Sequence, residues 1–295
     1  MNANIGPKLL LAALLALATG FDPQSATAAE MKDKLAPVVA KIEKKLGARV
    51  GVEILPAEGP ASWSHRSDER FPMASTSKAF ACATLLSKVD AGKLSLDEAV
   101  VVEQGDILDY APVTKEQVGQ KMTLGALCEA ATGTSDNTAI NLVLQAIGGP
   151  DEVTRFLRGI GDTVTRLDRD EPELNEGRPG DPRDTTTPTA AATSLRDLVL
   201  GDPLSADSRK RLTTWLVEDK VAGPLLRSAL PDGWRIADRS GAGGHGTRGI
   251  IAVIWPARAE PVIAAIYITG TKASMDERNR AIADIGKALV DALGH

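Results

Sequence analysis

FPMASTSK occupies residues 71–78, and the predicted structure changes there from extended chain to helix. Pro72 disfavours helix at the residue before it, so an extended segment is expected to end at this proline. A helical spacing of apolar and small side chains follows, beginning near Ser75 and including Phe80, Ala83, Thr84 and Val89. We therefore expect Ser75 to open a helix.

Ser75 and Lys78 form an S-x-x-K pair, whose spacing places both side chains on one face of that helix, one turn apart. The amide N–H at a helix start has no partner within the helix, and the local dipole favours negative charge. A hydroxyl at this position with an amine in reach is typical of an activated serine nucleophile. The alternative is a capping serine beside a solvated lysine, because the pair alone is common.

The composition describes an ordinary globular protein. Its 295 residues are 43% hydrophobic and 25% charged, enough for one sizeable domain or two small ones. The formal charge of -5, without a basic run that carries interleaved aromatic residues, argues against a nucleic-acid partner. The histidines, His65, His245 and His295, form no H-x-H or H-E-x-x-H cluster, so we expect no metal and no other cofactor.

Residues 1–28 have the pattern of a secretory signal peptide. Lys8 precedes an apolar block at residues 9–18, and Ala26-Thr27-Ala28 matches an A-x-A cleavage site. The block is too short to cross a bilayer, which needs about 20 apolar residues, so we expect no membrane association after cleavage. In an oxidising compartment the two cysteines, Cys82 and Cys128, are expected to form a disulfide, the alternative being two separate buried thiols.

Strand patterns occur early and late in the chain. They predict strands at residues 49–55, 61–66, 233–241, 249–255 and 261–269. Helical spacing precedes them at residues 31–46 and follows them in a segment with Ile282, Ile285 and Leu289. The simplest assembly is an α+β fold, an α/β sandwich whose single antiparallel sheet is flanked by the N- and C-terminal helices.

The middle of the chain has the pattern of short helices separated by loops. Helix starts are predicted where capping residues precede apolar runs, at Thr123, Asp136, Thr187 and Ser205. We expect residues 71–219 to form an inserted all-helical domain, and residues 29–70 with 220–295 to form a discontinuous α/β domain. The active site should lie in the cleft between them.

Three further motifs could contribute to such a site. Ser135-Asp136-Asn137 could place a second hydroxyl and an amide opposite Ser75, although polar triplets at helix starts are common caps. Residues 171–175, EPELN, lie in a long loop at about 166–184, and loops of this length are more often functional than not. Arg169 and Asp184 bracket this loop and could pair to hold it shut; Glu171 could instead be a solvated acid.

The third motif is Arg239-Ser240-Gly241, at the end of a predicted strand. Glycine allows a ligand to approach the backbone, and the strand edge offers N–H groups. Arg239 and Arg248 could bind a carboxylate in fork geometry. The alternative is a glycine-rich hairpin turn flanked by surface arginines.

The order S-x-x-K, S-D-N, E-x-x-L-N, R-S-G resembles that of the class A serine β-lactamases, over nearly the whole chain after the signal segment. That family usually has lysine where this chain has Arg239, and arginine there resembles its carbenicillin-hydrolysing subgroup. Since arginine keeps its charge, carboxylate binding should survive, while a proton-transfer role at this position is excluded.

The resemblance implies a cofactor-free, monomeric, periplasmic hydrolase whose substrates are β-lactam antibiotics. It implies catalytic roles for Ser75, Lys78, Ser135, Glu171 and Asn175. It implies an oxyanion hole from the backbone N–H groups of Ser75 and Ala242. It implies substrate contacts from Tyr110, Asn137, Arg239, Ser240, Gly241 and Arg248. Whether Lys78 or Glu171 is the base for acylation stays open.

Two related functions share part of this pattern. A penicillin-binding D-Ala-D-Ala peptidase has the nucleophile and the basic triplet but lacks the loop carboxylate, which Glu171 supplies here. A β-lactam sensor would become acylated and stay acylated, and would need a coupled transmembrane segment. We therefore expect a β-lactamase, with either of these as the alternative.

Overall fold

The computed structural model describes Met1 and residues 23–294 of the chain. Most of the predicted signal segment, residues 2–22, lies outside the described residues. The first helix begins at Pro23 and therefore starts earlier than the predicted residue 31. Within the described part of the chain, no helix is both long enough and apolar enough to span a membrane.

The helices and strands are numbered here in chain order. The strands are β1 (Arg49–Pro56), β2 (Trp63–His65), β3 (Phe71–Pro72), β4 (Ala99–Val101), β5 (Lys121–Thr123), β6 (Thr185–Thr186), β7 (Arg235–Gly243), β8 (Thr247–Trp255) and β9 (Val262–Thr269). The helices are α1 (Pro23–Leu46), α2 (Ser77–Asp90), α3 (Leu124–Gly133), α4 (Asn137–Ile147), α5 (Pro150–Gly159), α6 (Pro188–Leu200), α7 (Ala206–Val217) and α8 (Met275–Ala292).

Five strands form one antiparallel sheet in the order β2-β1-β9-β8-β7, as the sequence predicts. The early strand β1 pairs along its full length with the last strand, β9, from Arg49 opposite Thr269 to Pro56 opposite Val262. This pairing joins the two ends of the chain, so the long middle segment has to leave the sheet and return to it.

The two faces of the sheet bury different side chains. On one face Val50, Val52 and Ile54 pack with apolar residues of α1 and α8, which include Leu35, Val39, Ile282, Ile285 and Leu289. Each fully buried side chain of this size stabilises the fold by about 1.5–3 kcal/mol. The opposite face packs against the helical middle of the chain, where a Cβ on Gly51 would lie 2.4 Å from Phe71. The sheet with its flanking helices confirms the predicted α/β sandwich.

Most helix starts in the middle segment follow their predicted caps. The side chains of Thr123, Asp136, Thr187 and Ser205 each accept a hydrogen bond from a backbone N–H in the first turn of α3, α4, α6 and α7. Such caps contribute about 1 kcal/mol each. The division into domains at 71–219 stays a prediction.

The helix α5 and the two small sheets, β3-β6 and β4-β5, were not predicted from the sequence. Pro150 at the first helical position, with Val153 and Leu157 buried on one face, was the available signal for α5. The strands of the small sheets have two or three residues each, too few for a pattern of alternation.

A disulfide joins Cys82 of α2 to Cys128 of α3, with their Cα atoms 5.7 Å apart, as predicted. The two helices carry or precede the candidate catalytic motifs: α2 contains Lys78, and α3 ends just before Ser135. The bond therefore ties together the two elements that supply these side chains.

Candidate active site

Ser75 lies in a turn of 3-10 helix, Ala74–Thr76, and the α-helix proper begins at Ser77. Ser75 thus lies in the helical turn that leads directly into α2, as the sequence predicts, and the α-helical part begins two residues later. The turn follows β3 directly, and Ala74 has a positive φ of 45°, a conformation that costs a non-glycine residue about 1–3 kcal/mol. The backbone thus bends sharply just before the serine, which lies on the wall of a cavity.

Strand β7 passes against this turn. A Cβ placed on Gly241 would lie 2.8 Å from the backbone nitrogen of Ser75 and 2.8 Å from the carbonyl oxygen of Met73. No real side chain tolerates such contacts, so the approach of the strand to the serine requires glycine.

Lys78 lies beneath Ser75 and is fully buried. Its Nζ donates to Ser75 Oγ at 3.0 Å, to Asn137 Oδ1 at 2.6 Å and to the carbonyl oxygen of Ser135 at 3.0 Å, and it lies 2.9 Å from Oε1 of Glu171. Burial lowers the pKa of Lys78 to about 8, although the negative charge of Glu171 acts to raise it. The amine is thus far closer to neutrality at physiological pH than a solvated lysine.

Glu171 is also buried, which excludes the alternative of a solvated acid. Its Oε1 accepts a hydrogen bond from Ser75 Oγ at 3.5 Å, and its Oε2 accepts from the side-chain nitrogen of Asn175. Asn141 of α4 fixes the backbone of Glu171 by donating to its carbonyl oxygen at 2.8 Å and accepting from its N–H at 2.9 Å. The carboxylate is therefore held beside the hydroxyl from two sides.

The loop that carries Glu171 is closed at its base by the pair predicted from the sequence. Arg169 donates from Nε to Asp184 Oδ2 at 2.6 Å, and Asp184 Oδ1 accepts from the backbone N–H groups of Asp168 and Arg169. The loop is not structureless, because Glu173–Asn175 forms a turn of 3-10 helix. Its ends are thus locked together through one buried carboxylate.

The residues of the Ser135-Asp136-Asn137 motif have different roles, one structural and two in the candidate active site. Asp136 is buried, caps α4, and accepts hydrogen bonds from Thr114 as well as from the N–H of Val113. Ser135 has a positive φ of 64°, and its Oγ lies 3.3 Å from Lys78 Nζ. The capping interpretation therefore holds for Asp136, while Ser135 and Asn137 both contact Lys78.

Arg239 differs in detail from the expectation of a free guanidinium fork. It is almost fully buried; its Nη1 pairs with Asp219 and donates to the carbonyl oxygen of Thr132, and its Nε donates to the carbonyl oxygen of Ser75 at 3.2 Å. Arg248 is held similarly, with Nε donating to Asn279 and Nη1 to the carbonyl oxygen of Gly241. Burial, together with the neighbouring charge of Arg239, lowers the pKa of Arg248 to about 10.

The predicted residues converge on one cavity of about 370 Å³. Its walls contain Ser75, Tyr110, Ser135, Asn137, Arg239, Ser240, Gly241, Ala242 and Arg248, all of which were predicted from the sequence. Lys78, Glu171 and Asn175 are not among the residues that line the cavity; Lys78 and Glu171 contact Ser75 instead. Tyr110 is half exposed at the surface, and its carbonyl oxygen accepts from the N–H of Asn137.

Several residues of this site were not predicted from the sequence. Val221 and Met275 line the cavity, and Asn141, Asp219 and Asn279 hold Glu171, Arg239 and Arg248 in place. None of them belongs to a short motif, so no local signal identified them. In the part of the chain that the structure describes, no group of three or more His, Cys, Asp or Glu side chains could hold a metal ion.

Comparisons with known proteins agree with this geometry. Residues 31–293 match the model of the "Beta-lactamase enzyme family". Beta-lactamase AER-1 of Aeromonas hydrophila is 51% identical over 261 residues, which cover 88% of this chain and 86% of that protein. Beta-lactamase PSE-4 of Pseudomonas aeruginosa is 50% identical over 253 residues, which cover 86% of this chain and 88% of that protein.

Solved structures are similar to the same extent. An ancestral (GNCA) class A β-lactamase is 51% identical and superposes with a TM-score of 0.85, covering 88% of this chain and 99% of its own. The chromosome-encoded β-lactamase of Vibrio parahaemolyticus is 46% identical with a TM-score of 0.86, at coverages of 88% and 99%.

Proposed function

This chain belongs to the class A β-lactamases, enzymes that hydrolyse the amide bond of the β-lactam ring, and from that premise we propose a serine acyl-enzyme mechanism with Ser75 as the nucleophile. The protein hydrolyses β-lactam antibiotics and so gives antibiotic resistance. Membership of this family argues against both alternative functions, the D-Ala-D-Ala peptidase and the non-hydrolysing sensor.

Acylation begins when Ser75 Oγ attacks the ring carbonyl and loses its proton. Two bases are in reach of that proton: Lys78, whose Nζ is 3.0 Å from Ser75 Oγ, and Glu171, whose Oε1 is 3.5 Å from it and which could act directly or through a water molecule. The lowered pKa of Lys78 supports the first route, and the buried carboxylate beside the hydroxyl supports the second. Ser135, whose Oγ is 3.3 Å from Lys78 Nζ, then delivers a proton to the ring nitrogen as the amide bond breaks.

The backbone N–H groups of Ser75 and Ala242 form the proposed oxyanion hole. Both residues line the cavity, where the ring carbonyl would enter. Two donors aimed at the oxygen stabilise its developing negative charge, and removing one donor from comparable sites costs about 3–4 kcal/mol. The glycine at 241 lets the strand come close enough to supply the second donor.

The substrate carboxylate is held at the other end of the cavity by Arg239, Ser240, Ser135 and Arg248, with Asn137 and Tyr110 beside the rest of the molecule. Because protein acceptors already occupy Nε and Nη1 of both arginines, these residues act mainly through their positive charge. The hydroxyls of Ser135 and Ser240 then supply directional hydrogen bonds.

Deacylation depends on Glu171 and Asn175, which orient and deprotonate a water molecule that attacks the serine ester. The observation that carries this step is the distance of 3.5 Å between Ser75 Oγ and Glu171 Oε1, since one water molecule can contact both groups. The buried side-chain oxygen of Asn175 has no hydrogen-bond partner among the described residues, so it can accept a hydrogen bond from the same water.

Substituting Glu171→Ala tests this proposal. The variant should become acylated by benzylpenicillin but keep a long-lived adduct on Ser75, seen as a mass increase of the intact protein. Glu173→Ala removes an exposed carboxylate of the same loop and should turn over like the wild type. Rapid turnover by Glu171→Ala would contradict the assignment.

Substrate preference, export and assembly are also proposals. Arg239 in place of lysine supports preference for carbenicillin, which steady-state hydrolysis of carbenicillin, benzylpenicillin and one cephalosporin would measure. The leader pattern and the disulfide between Cys82 and Cys128 support export to the periplasm, to be checked by cell fractionation. A monomer is expected, and light scattering of the purified mature protein would test it.

A further inference from the structure

A second cavity, of about 390 Å³, lies on the outer side of the loop at 166–184. It is enclosed by the start of β1, residues 70 and 72, loop residues 177–182 and the end of β9. None of its lining residues lines the cavity that contains Ser75. Three arginines, Arg49, Arg70 and Arg178, contribute to its walls.

Arg70 is the arginine without a carboxylate partner. Its Nη1 donates to the carbonyl oxygen of Val164 at 3.1 Å and to Thr185 Oγ1 at 3.0 Å, so the side chain is fixed at the cavity wall. Among the described residues it forms no ion pair, and its Nε and Nη2 donate no hydrogen bond. A positioned guanidinium with free donors is thus available to a ligand.

The other two arginines each have an acidic partner. Arg49 pairs with Glu69, but Glu69 also pairs with Arg66. Arg178 pairs with Glu176, but Glu176 also pairs with Arg169. The lining carboxylate, Asp181, is bound in turn by Arg183. Arg66 and Arg169 are themselves paired with Glu43 and Asp184, so these charges balance, and the guanidinium group of Arg70 gives the cavity its excess of positive charge although the whole chain carries -5.

We propose that this cavity binds a small-molecule oxyanion, a phosphate or a carboxylate. Planar guanidinium groups bind both in bidentate fashion, and several guanidinium groups around one concave site favour anions over neutral ligands. The cavity volume is sufficient for an anion of the size of citrate or smaller.

Binding there acts on the loop that carries Glu171. Residues 177–182 form one part of the cavity wall, and another part consists of Arg49 at the start of β1, Arg70 just before β3 and Gly270 just after β9. A Cβ on Gly177 would lie 3.2 Å from both Pro72 and Thr247, so the loop already packs closely there. An anion that contacts both parts of the wall would tie the outer half of the loop to the sheet and slow its opening.

Amide NMR of the 15N-labelled protein tests the proposal, with inorganic phosphate and citrate titrated separately at constant ionic strength. In the wild type the amide signals of Gly177, Gly180 and Gly270 should shift and saturate. Arg70→Gln and Arg178→Gln should weaken that binding at least tenfold. Arg258→Gln, at an exposed arginine in the β8–β9 turn, is the matched control and should leave it unchanged.

The separate titrations with phosphate and with citrate identify the class of ligand. Saturation by phosphate alone would indicate a phosphate ester, saturation by citrate alone a carboxylate, and either result supports the site. Signals of Gly241 report anions that enter the catalytic cavity, so shifts confined to that residue would overturn the proposal. Equal affinity in the wild type and Arg178→Gln would also overturn it, and because Arg178 is exposed this variant should fold normally.

Discussion

Lys78 and Glu171 form an ion pair with 2.9 Å between Nζ and Oε1, and neither side chain is exposed to solvent. The charge of Lys78 therefore depends on the carboxylate of Glu171. Burial alone would favour a neutral amine, and the carboxylate opposes that effect.

Substitution of Glu171→Gln should consequently lower the pKa of Lys78 below its value of about 8, because the negative charge that raises it is lost. The measurement is an NMR titration of the Lys78 side-chain carbon next to Nζ. Glu173→Gln is the control and should leave the titration unchanged. A pKa of Lys78 that stays the same or rises in Glu171→Gln would show that the pair is not coupled in this way.

Asp219 should be essential for stability because it neutralises the buried Arg239. Its Oδ2 accepts from Arg239, and its Oδ1 accepts from the N–H groups of Val221 and Ala222. Asp219→Asn leaves a buried guanidinium uncompensated, which should cost about 3 kcal/mol of unfolding free energy in urea denaturation. Asp202→Asn, at a fully exposed acid paired with Arg209, should leave the unfolding free energy close to that of the wild type. Equal costs would contradict the argument.

Asp184 should control deacylation through the closure of the loop. Both of its carboxylate oxygens accept hydrogen bonds, from Arg169 Nε and from two backbone N–H groups. In an asparagine at this position the NH2 group would point at one of these donors, and that hydrogen bond would be lost. Asp184→Asn should slow deacylation by about tenfold, equivalent to about 1.4 kcal/mol, measured as accumulation of acyl-enzyme by rapid-quench mass spectrometry. Asp181→Asn, in the same loop, should behave like the wild type; slowing of equal size in both variants would refute the role of Asp184.

Glu53 should make the stability of the fold depend on pH. It lies buried on β1 with only hydroxyl partners, among them Thr189, and burial raises its pKa to about 7, with the charge of Asp68 adding to the shift. The folded state therefore prefers the protonated acid, so stability is lost as pH rises from the unfolded pKa, near 4.5, to about 7.

The substitution Glu53→Gln should remove this pH-dependent loss of unfolding free energy, which amounts to at most about 3 kcal/mol. Thermal melting at pH 5 and pH 8 should show the variant close to the wild type at the lower pH and more stable at the higher one. Glu58→Gln, at an exposed position, should match the wild type at both. A destabilised Glu53→Gln at pH 8 would contradict the prediction.

The sequence predicted the elements whose signals are local. Alternation along β1 and the strand patterns of β7, β8 and β9 predicted the sheet, and the caps at Thr123 and Thr187 predicted helix starts within one residue. The motifs predicted several of the residues that line the cavity, but not Val221 or Met275. These features depend on period and on short-range hydrogen bonding, which a single chain displays directly.

The remaining features depend on contacts between distant segments. Nothing near Asp219 or Asn141 in the sequence indicates a partner, and only the fold brings Asp219 to Arg239 and Asn141 to Glu171. For the same reason the sequence predicted Arg239 as a free fork, whereas burial makes it bind protein acceptors. Spacing identifies residue types, but it does not show how many of their donors are already used.

The contact between Gly241 and the turn at Ser75 limits how this enzyme can evolve. Because even a methyl group at 241 would collide with the backbone of residues 73 and 75, replacements there would displace the strand from the nucleophile. Resistance to new antibiotics therefore has to arise through mutations elsewhere around the cavity, such as at the half-exposed Tyr110 or at Met275. Drug selection on codon 241 should yield inactive protein and no broadened spectrum.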